Sequence, residues 1–242
     1  MSGGQVEALG VSGEARGDAW PLAVLFDLDG TLIDSAPDIA AAVNELLGRH
    51  GLGPLTLDQV VSMIGNGTKK LTERAFAATS GPLSPDQLDQ RYAEMLGIYG
   101  RHLTGVTTLL PGAAELVAAL RQRGARLGIV TNKPQRFIEA ILEHFGLAGD
   151  FDVVIGSDAG ITPKPAPDML YAAMEKLGAG PRDTVMVGDS ASDVDSARAA
   201  GVASIIRRGG YTHTPAEMLG ADIVVDGLDE LISVLPALRP KG

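Results

Sequence analysis

The chain has 242 residues, 45% apolar and 21% charged, enough for one large globular domain or two modest ones. Thirty acidic against 20 basic residues leave a net charge of −10, which argues against a general affinity for nucleic acid or an anionic membrane. The absence of cysteine excludes disulfides, thiol catalysis and thiolate metal sites, and the four histidines (His50, His102, His144, His213) show no ligand spacing. Any metal would therefore be held by oxygen, which favours magnesium or manganese.

The first residues lack the basic and apolar regions of a secretory signal and show no periodicity, so 1–19 read as a loose tail. No apolar run approaches the ~18 residues of a membrane span, and a cytoplasmic location follows as the default. Ala23–Phe26 is a short apolar strand that ends abruptly in Asp27-Leu28-Asp29-Gly30-Thr31. From Ser35 to Gly105 there is no clear strand run but several helix starts. Thr56 and Ser84 each open a capping box closed by a glutamine three residues on, and Ser35 opens one with Asp38 in place of Glu. Pro85 sits at the favoured first helical position. An interval this long is not a bare loop, so 37–104 is expected to be a small all-helical domain inserted after the first strand.

From Pro111 onward short apolar runs alternate with helical stretches. The runs are Leu127–Val130, Val153–Ile155, Val185–Val187, Ser204–Ile206 and Ile223–Val225. Between the insert and the first of them, Leu116, Val117 and Leu120 recur at helical spacing and Gly124 marks a stop. Apolar strands separated by helices predict a parallel sheet covered on both faces, with 20–36 and 105–242 forming one α/β core.

Open parallel sheets gather ligands at the carboxyl ends of their strands. Asp27 and Asp29 follow the first run there, Thr131-Asn132-Lys133 the second, and Gly188-Asp189-Ser190, with Asp193 beyond, the Val185 run. Lys164 lies between two prolines in "TPKPAPD". Each piece alone also reads as an ordinary turn, cap or solvated charge. Their order and shared sheet edge set them apart.

"FDLDGTLIDS", "VTNKP", "KPAPD" and "VGDSASD" together resemble the four ordered motifs of the haloacid dehalogenase superfamily. Within it the chain is most similar to the phosphoglycolate phosphatases, through "IGNG", "LLPGAAELVAAL" and the "GGYTHTPAEMLGADIVVDGLDEL" ending. The resemblance implies a Rossmann-like core with a helical type 1 cap. It implies hydrolysis of 2-phosphoglycolate to glycolate and phosphate, with Asp27 as nucleophile and Asp29 as general acid and base. It further implies Mg²⁺ on Asp27, Asp189 and the Asp29 carbonyl, Asp193 in support, and Gly30, Thr131, Asn132 and Lys164 around the phosphoryl group.

In the cap, Gly65-Asn66-Gly67 reads either as a plain turn before a helix starting near Thr68 or as an anion cradle for a substrate carboxylate. Lys70 and Arg74, spaced i,i+4, either strengthen that pocket or face solvent, and Lys69 is expected to be solvated. Other small phosphoesters, pyrophosphate, a β-phosphoglucomutase-like transfer and a non-catalytic phosphorylatable module stay open at this point. So does the choice between monomer and homodimer.

Overall fold

The computed structural model describes residues 20–158 and 160–238, so the tail expected over 1–19 lies outside the described residues. The first strand, β1 (Ala23–Phe26), is followed by the two-residue β2 (Ile33–Asp34) and four helices: α1 (Ala36–Arg49), α2 (Leu57–Val61), α3 (Thr68–Thr79) and α4 (Pro85–Tyr99). The chain re-enters the core through β3 (Thr108–Leu109) and α5 (Ala113–Gln122), then alternates: β4 (Arg126–Val130), α6 (Gln135–His144), β5 (Val153–Ile155), α7 (Asp168–Leu177), β6 (Thr184–Gly188), α8 (Ala191–Ala200), β7 (Ala203–Arg207) and β8 (Ile223–Val225).

Six strands form one parallel sheet in the order β5-β4-β1-β6-β7-β8. The sheet is buried on both faces, which is why its strands read as unbroken apolar runs. Side chains nonetheless alternate. Val24 and Phe26 join the core cluster containing Leu116, Val117 and Leu120 of α5, whereas Ala23 and Leu25 join that of α7 and α8. Strand order reverses between β1 and β6, so the loops leaving them diverge and open a crevice.

The insert is all-helical, and α1 packs against α2, α3 and α4. Two of its helix starts follow the sequence pattern: Thr56 and Ser84 accept from the N–H of Gln59 and Gln87, whose side chains accept from the cap N–H. The third does not. Ser35 has helical rather than extended dihedrals (φ −107°, ψ −2°), so its hydroxyl cannot turn back on α1. It donates instead to Asp29 Oδ1 at 2.6 Å, and the Tyr211 hydroxyl accepts from the Ser35 and Ala36 N–H groups at 2.7 and 2.9 Å.

Core and insert are joined by two crossings, and β2 pairs antiparallel with β3 where they pass, Ile33 opposite Leu109 and Asp34 opposite Thr108. Buried Asp38 ties the returning crossing to α1. Its Oδ2 accepts from Val106 N–H (2.9 Å), Thr107 N–H (2.8 Å) and the Thr107 hydroxyl (2.7 Å). No helix among the described residues is long and apolar enough to cross a membrane.

Asp38→Ala strips the acceptor from two backbone donors and is expected to cost about 2–4 kcal/mol in urea unfolding. Asp38→Asn, which keeps an oxygen, should cost less than half of that. An unchanged midpoint for Asp38→Ala would remove the carboxylate from its tethering role.

Candidate active site

The loop after β1 places Asp27 at the crevice, its N–H donating to the Val187 carbonyl of β6 at 2.9 Å. Oδ1 accepts from Leu28 N–H at 2.8 Å and lies 3.2 Å from Lys164 Nζ. Burial pushes the Asp27 carboxyl up to about 6; Asp193 and Asp29 add to the rise, while Lys164 and the Thr131 hydroxyl oppose it. Asp29 accepts from Ser35 Oγ and is clasped by Lys133 Nζ, 2.7 Å from Oδ1 and 3.0 Å from Oδ2.

The loop after β6 supplies Asp189, whose Oδ2 accepts from Tyr211 N–H at 2.6 Å. Burial first, then the charges of Asp193 and Asp27, hold its carboxyl well above the usual carboxylate range. Asp193, fully buried in the first turn of α8, has both oxygens committed. Oδ1 accepts from Lys164 Nζ at 2.6 Å, and Oδ2 from Asp189 N–H (3.2 Å), Ser190 N–H (3.0 Å) and Ser190 Oγ (2.7 Å). It thereby braces Lys164 and the Asp189-Ser190 backbone.

Gly30 has a φ of +79°, and a Cβ there would lie 2.4 Å from Asp189 Oδ2. Glycine is required to make room for the carboxylate.

Asp27, Asp189 and Asp193 each bring one oxygen within 4.8 Å of the others. This donor set fits a hard divalent cation: it is all oxygen, buried and short of positive charge. Since Asp193 is already saturated, Asp27 and Asp189 are the carboxylates that would hold the ion.

The remaining expected residues divide. Thr131, expected around the phosphoryl group, is buried on the cavity wall and its hydroxyl bonds Asp27. Lys164 reaches the site from behind, with Nζ on Asp27, Asp193 and the Val130 carbonyl (2.7 Å), and is absent from the cavity wall. Asn132, on the cavity wall, spends its amide N–H groups on the carbonyls of Gly65 and Lys164, both at 2.9 Å, so the amide latches cap to core. Its buried Oδ1 has no protein partner.

In the cap, Gly65 and Gly67 line the cavity, but Asn66, Lys70 and Arg74 do not. Arg74 turns back to donate to the Met63 carbonyl (2.9 Å) and Asn66 Oδ1 (2.7 Å), bracing the glycine turn from outside. Lys70 is solvent-facing and pairs with Glu73; Lys69 pairs with Asp89 at the surface. Two readings are open for Lys70 and Arg74 from sequence; neither side chain lines the cavity, and Asn66 stands outside the wall with them.

Three residues of the site were not singled out from the sequence: Lys133, Tyr99 and Tyr211, all on the cavity wall. Lys133 stood at a strand end and could have been found by that placement. The tyrosines carried no local signal. The cavity between cap and core is about 50 Å³, with Ile39, Ile64, Leu71 and Met95 forming its apolar side.

An aspartate pair after the first strand, a third acid after β6 and a lysine between them, under an inserted helical lid, define a class. A family model for haloacid dehalogenase-like hydrolases matches residues 21–201, and the chain belongs to that family.

A phosphoglycolate phosphatase from Rhodospirillum rubrum is 39% identical over 226 residues, 92% of this chain and 94% of the relative. An N-acetylmuramic acid 6-phosphate phosphatase from Pseudomonas aeruginosa is 36% identical over 216 residues, 88% of this chain and 94% of the relative. Among solved structures, that of a predicted phosphoglycolate phosphatase from Haemophilus somnus 129PT has a TM-score of 0.83 at 30% identity, covering 88% of this chain and 97% of that one. The chain is accordingly a phosphatase, a phosphoric monoester hydrolase of this family.

A saturating divalent cation, at about a hundredfold over Kd, is expected to raise Tm by roughly 5–10 °C. The sign with pH follows from Asp27, whose carboxyl is raised from 3.8 to about 6 in the fold. Without the cation, stability from this group is greatest below its unfolded value and is lost as pH rises through about 6. The cation should therefore stabilise more near pH 8 than near pH 5, where protons compete for the same oxygens. A Tm indifferent to magnesium and manganese at both pH values would take the cation out of the site.

Proposed function

We propose that the chain hydrolyses 2-phosphoglycolate to glycolate and phosphate through an aspartyl-phosphate on Asp27. The observation that carries this reading is the pairing of Asp27 and Asp29 beneath a cavity of about 50 Å³. A water needs about 10–15 Å³ on the same scale, so the space suits a phosphoryl group with a small leaving group.

Asp27 is the nucleophile. Lys164 and the Leu28 N–H fix Oδ1, and the Thr131 hydroxyl bonds the same carboxylate. In-line attack on phosphorus depends on such positioning more than on activation, because a carboxylate needs no base. Asp29, two residues on, protonates the departing alkoxide and then takes a proton from the water that hydrolyses the intermediate. Ser35 and Lys133 hold it in place. Asp27, Asp189 and the Asp29 carbonyl would hold Mg²⁺, which when bound supplies charge to the phosphoryl oxygens and relieves the repulsion among the acids.

The substrate assignment is supported from the cap side. The N-cap of α3, Gly67, offers no side-chain hydrogen bond, so the first-turn N–H groups of that helix remain donors beside the cavity. A carboxylate on the leaving group fits them. The Rhodospirillum relative bears the matching name. The muramic acid phosphate named for the Pseudomonas relative is far larger and would require the cap to stand open.

Phosphate release from a panel of small phosphoesters, with and without Mg²⁺, tests the reading. 2-Phosphoglycolate is expected to lead in kcat/KM by about tenfold, or ~1.4 kcal/mol in the transition state. Equal turnover of unrelated phosphoesters would sink the substrate assignment and leave the chemistry standing.

Asp27→Asn is expected to abolish turnover with an unchanged circular dichroism spectrum. Asp29→Asn should lower kcat on phosphoglycolate by about 10²–10⁴-fold. Its effect on p-nitrophenyl phosphate, whose leaving group needs no proton, should be much smaller. Equal losses on both esters would remove Asp29 from acid catalysis.

A further inference from the structure

Among the described residues lining the cavity, Lys133 is the one cation; the other charged groups there are Asp27, Asp29 and Asp189. Its side chain is 1% exposed, although it leaves the core at the end of β4. Nζ contacts both oxygens of Asp29, bonds the hydroxyl of Tyr99 from α4 and lies 4.7 Å from the centre of that ring. An ammonium has three N–H donors, and these contacts occupy them. Burial alone would depress the lysine; the charge of Asp29, with the hydrogen bonds to Asp29 and Tyr99, holds it above its ordinary value.

This charge is not needed for the phosphoryl group, which already has Lys164 on the far side of Asp27. It stands on the cap side of Asp29. To protonate the leaving group, Asp29 must come within about 2.6–3.2 Å of the ester oxygen. Lys133 Nζ is 2.7 Å from Asp29 Oδ1, so it comes within about 6 Å of that ester oxygen, close enough for a substituent to bridge the two. A carboxylate joined through a single carbon has its oxygens about 3 Å from the ester oxygen, and so within reach of Nζ.

The geometry points to Lys133 as a specificity-determining residue that receives an anionic substituent one carbon from the scissile ester oxygen. The inference rests on the phosphoglycolate reading above and names the residue that enforces it. A substrate carboxylate replaces Asp29 and Tyr99 as partner of Nζ, and the oxygens of Asp29 are released toward the leaving group. A neutral leaving group offers no such exchange and leaves Asp29 clasped.

The test compares 2-phosphoglycolate with 2-hydroxyethyl phosphate, which has the same skeleton with an alcohol in place of the carboxylate. The readout is the ratio of their kcat/KM values, in which any loss common to both esters cancels. The wild-type ratio is expected to exceed about ten. Lys133→Met should lower it by about 10- to 100-fold, with a rise in KM for phosphoglycolate, and Lys133→Arg should restore part of it.

A wild-type ratio near one would overturn the substrate reading itself. A high wild-type ratio that survives in Lys133→Met would overturn the role of Lys133 and leave the substrate reading intact. If Lys133→Met does not fold, Tyr99→Phe decides: freeing one donor of Nζ should raise the ratio, and an unchanged or lower ratio would count against the inference.

Discussion

The structure depends on burying three carboxylates around one lysine at the reversal point of the sheet. Two unit charges ~4 Å apart repel by ~4 kcal/mol at an effective dielectric of ~20. Asp27, Asp189 and Asp193 form three such pairs, and Lys164, shared by Asp27 and Asp193, relieves only part of the repulsion. The surrounding chain is shaped to admit these acids. A Cβ at Gly30, Gly188 or Gly210 would lie 2.4, 2.3 or 2.2 Å from Asp189 or Asp193. Asp193 is made bearable by four donors, which saturate it and leave the other two acids with unfilled coordination capacity. Electrostatic deficit at the centre is thus a property of the packing, and a divalent cation is its natural complement.

The same acids connect the core to the lid. Tyr211 donates its backbone N–H to Asp189 and presents its hydroxyl to the start of α1, where it accepts from Ser35 and Ala36 and donates to Asp34. Asp29 is bonded to Ser35 one residue before α1, and through Lys133 to Tyr99 at the end of α4. Asn132 adds a third link, to Gly65 in the cap turn. The orientation of the cap and the placement of the crevice carboxylates are therefore set by shared residues, since the groups that seat the insert are those that hold Asp29 and Asp189.

What was legible in the sequence was what local patterning controls. The six core strands follow from apolar runs bounded by turns, and the capping boxes at Thr56 and Ser84 involve partners only three residues apart. Ser35 carries a similar local signal but answers to Asp29 and Tyr211, the latter 176 residues away, so its pattern misled. The paired β2 and β3 are two residues each, too short for any alternation to show. Asp27, Asp29, Thr131, Lys164, Asp189 and Asp193 were found because strand ends converge, a topological rule. Which atoms Asn132 and Lys164 commit to backbone carbonyls is a matter of tertiary distance, and no spacing encodes it. Arg74 shows the limit from the other side: its i,i+4 relation to Lys70 suggested a shared face, yet one braces a turn and the other meets water.

Cavity size also bears on the contrast between hydrolysis and intramolecular transfer. A mutase must hold its phosphorylated sugar at the site long enough to turn it and return the phosphoryl group to a second hydroxyl. About 50 Å³, walled on one side by Ile39, Ile64, Leu71 and Met95, is a small space for a sugar bisphosphate to turn in. A two-carbon leaving group has the opposite property. Its departure vacates space on the order of a few waters, directly beside Asp29. On the proposed reading, the water that cleaves the aspartyl-phosphate would enter the volume that the product has left, and Asp29, which would have protonated the product, would be positioned to deprotonate that water. Small size would then favour the substrate and, in the next step, admit the nucleophile.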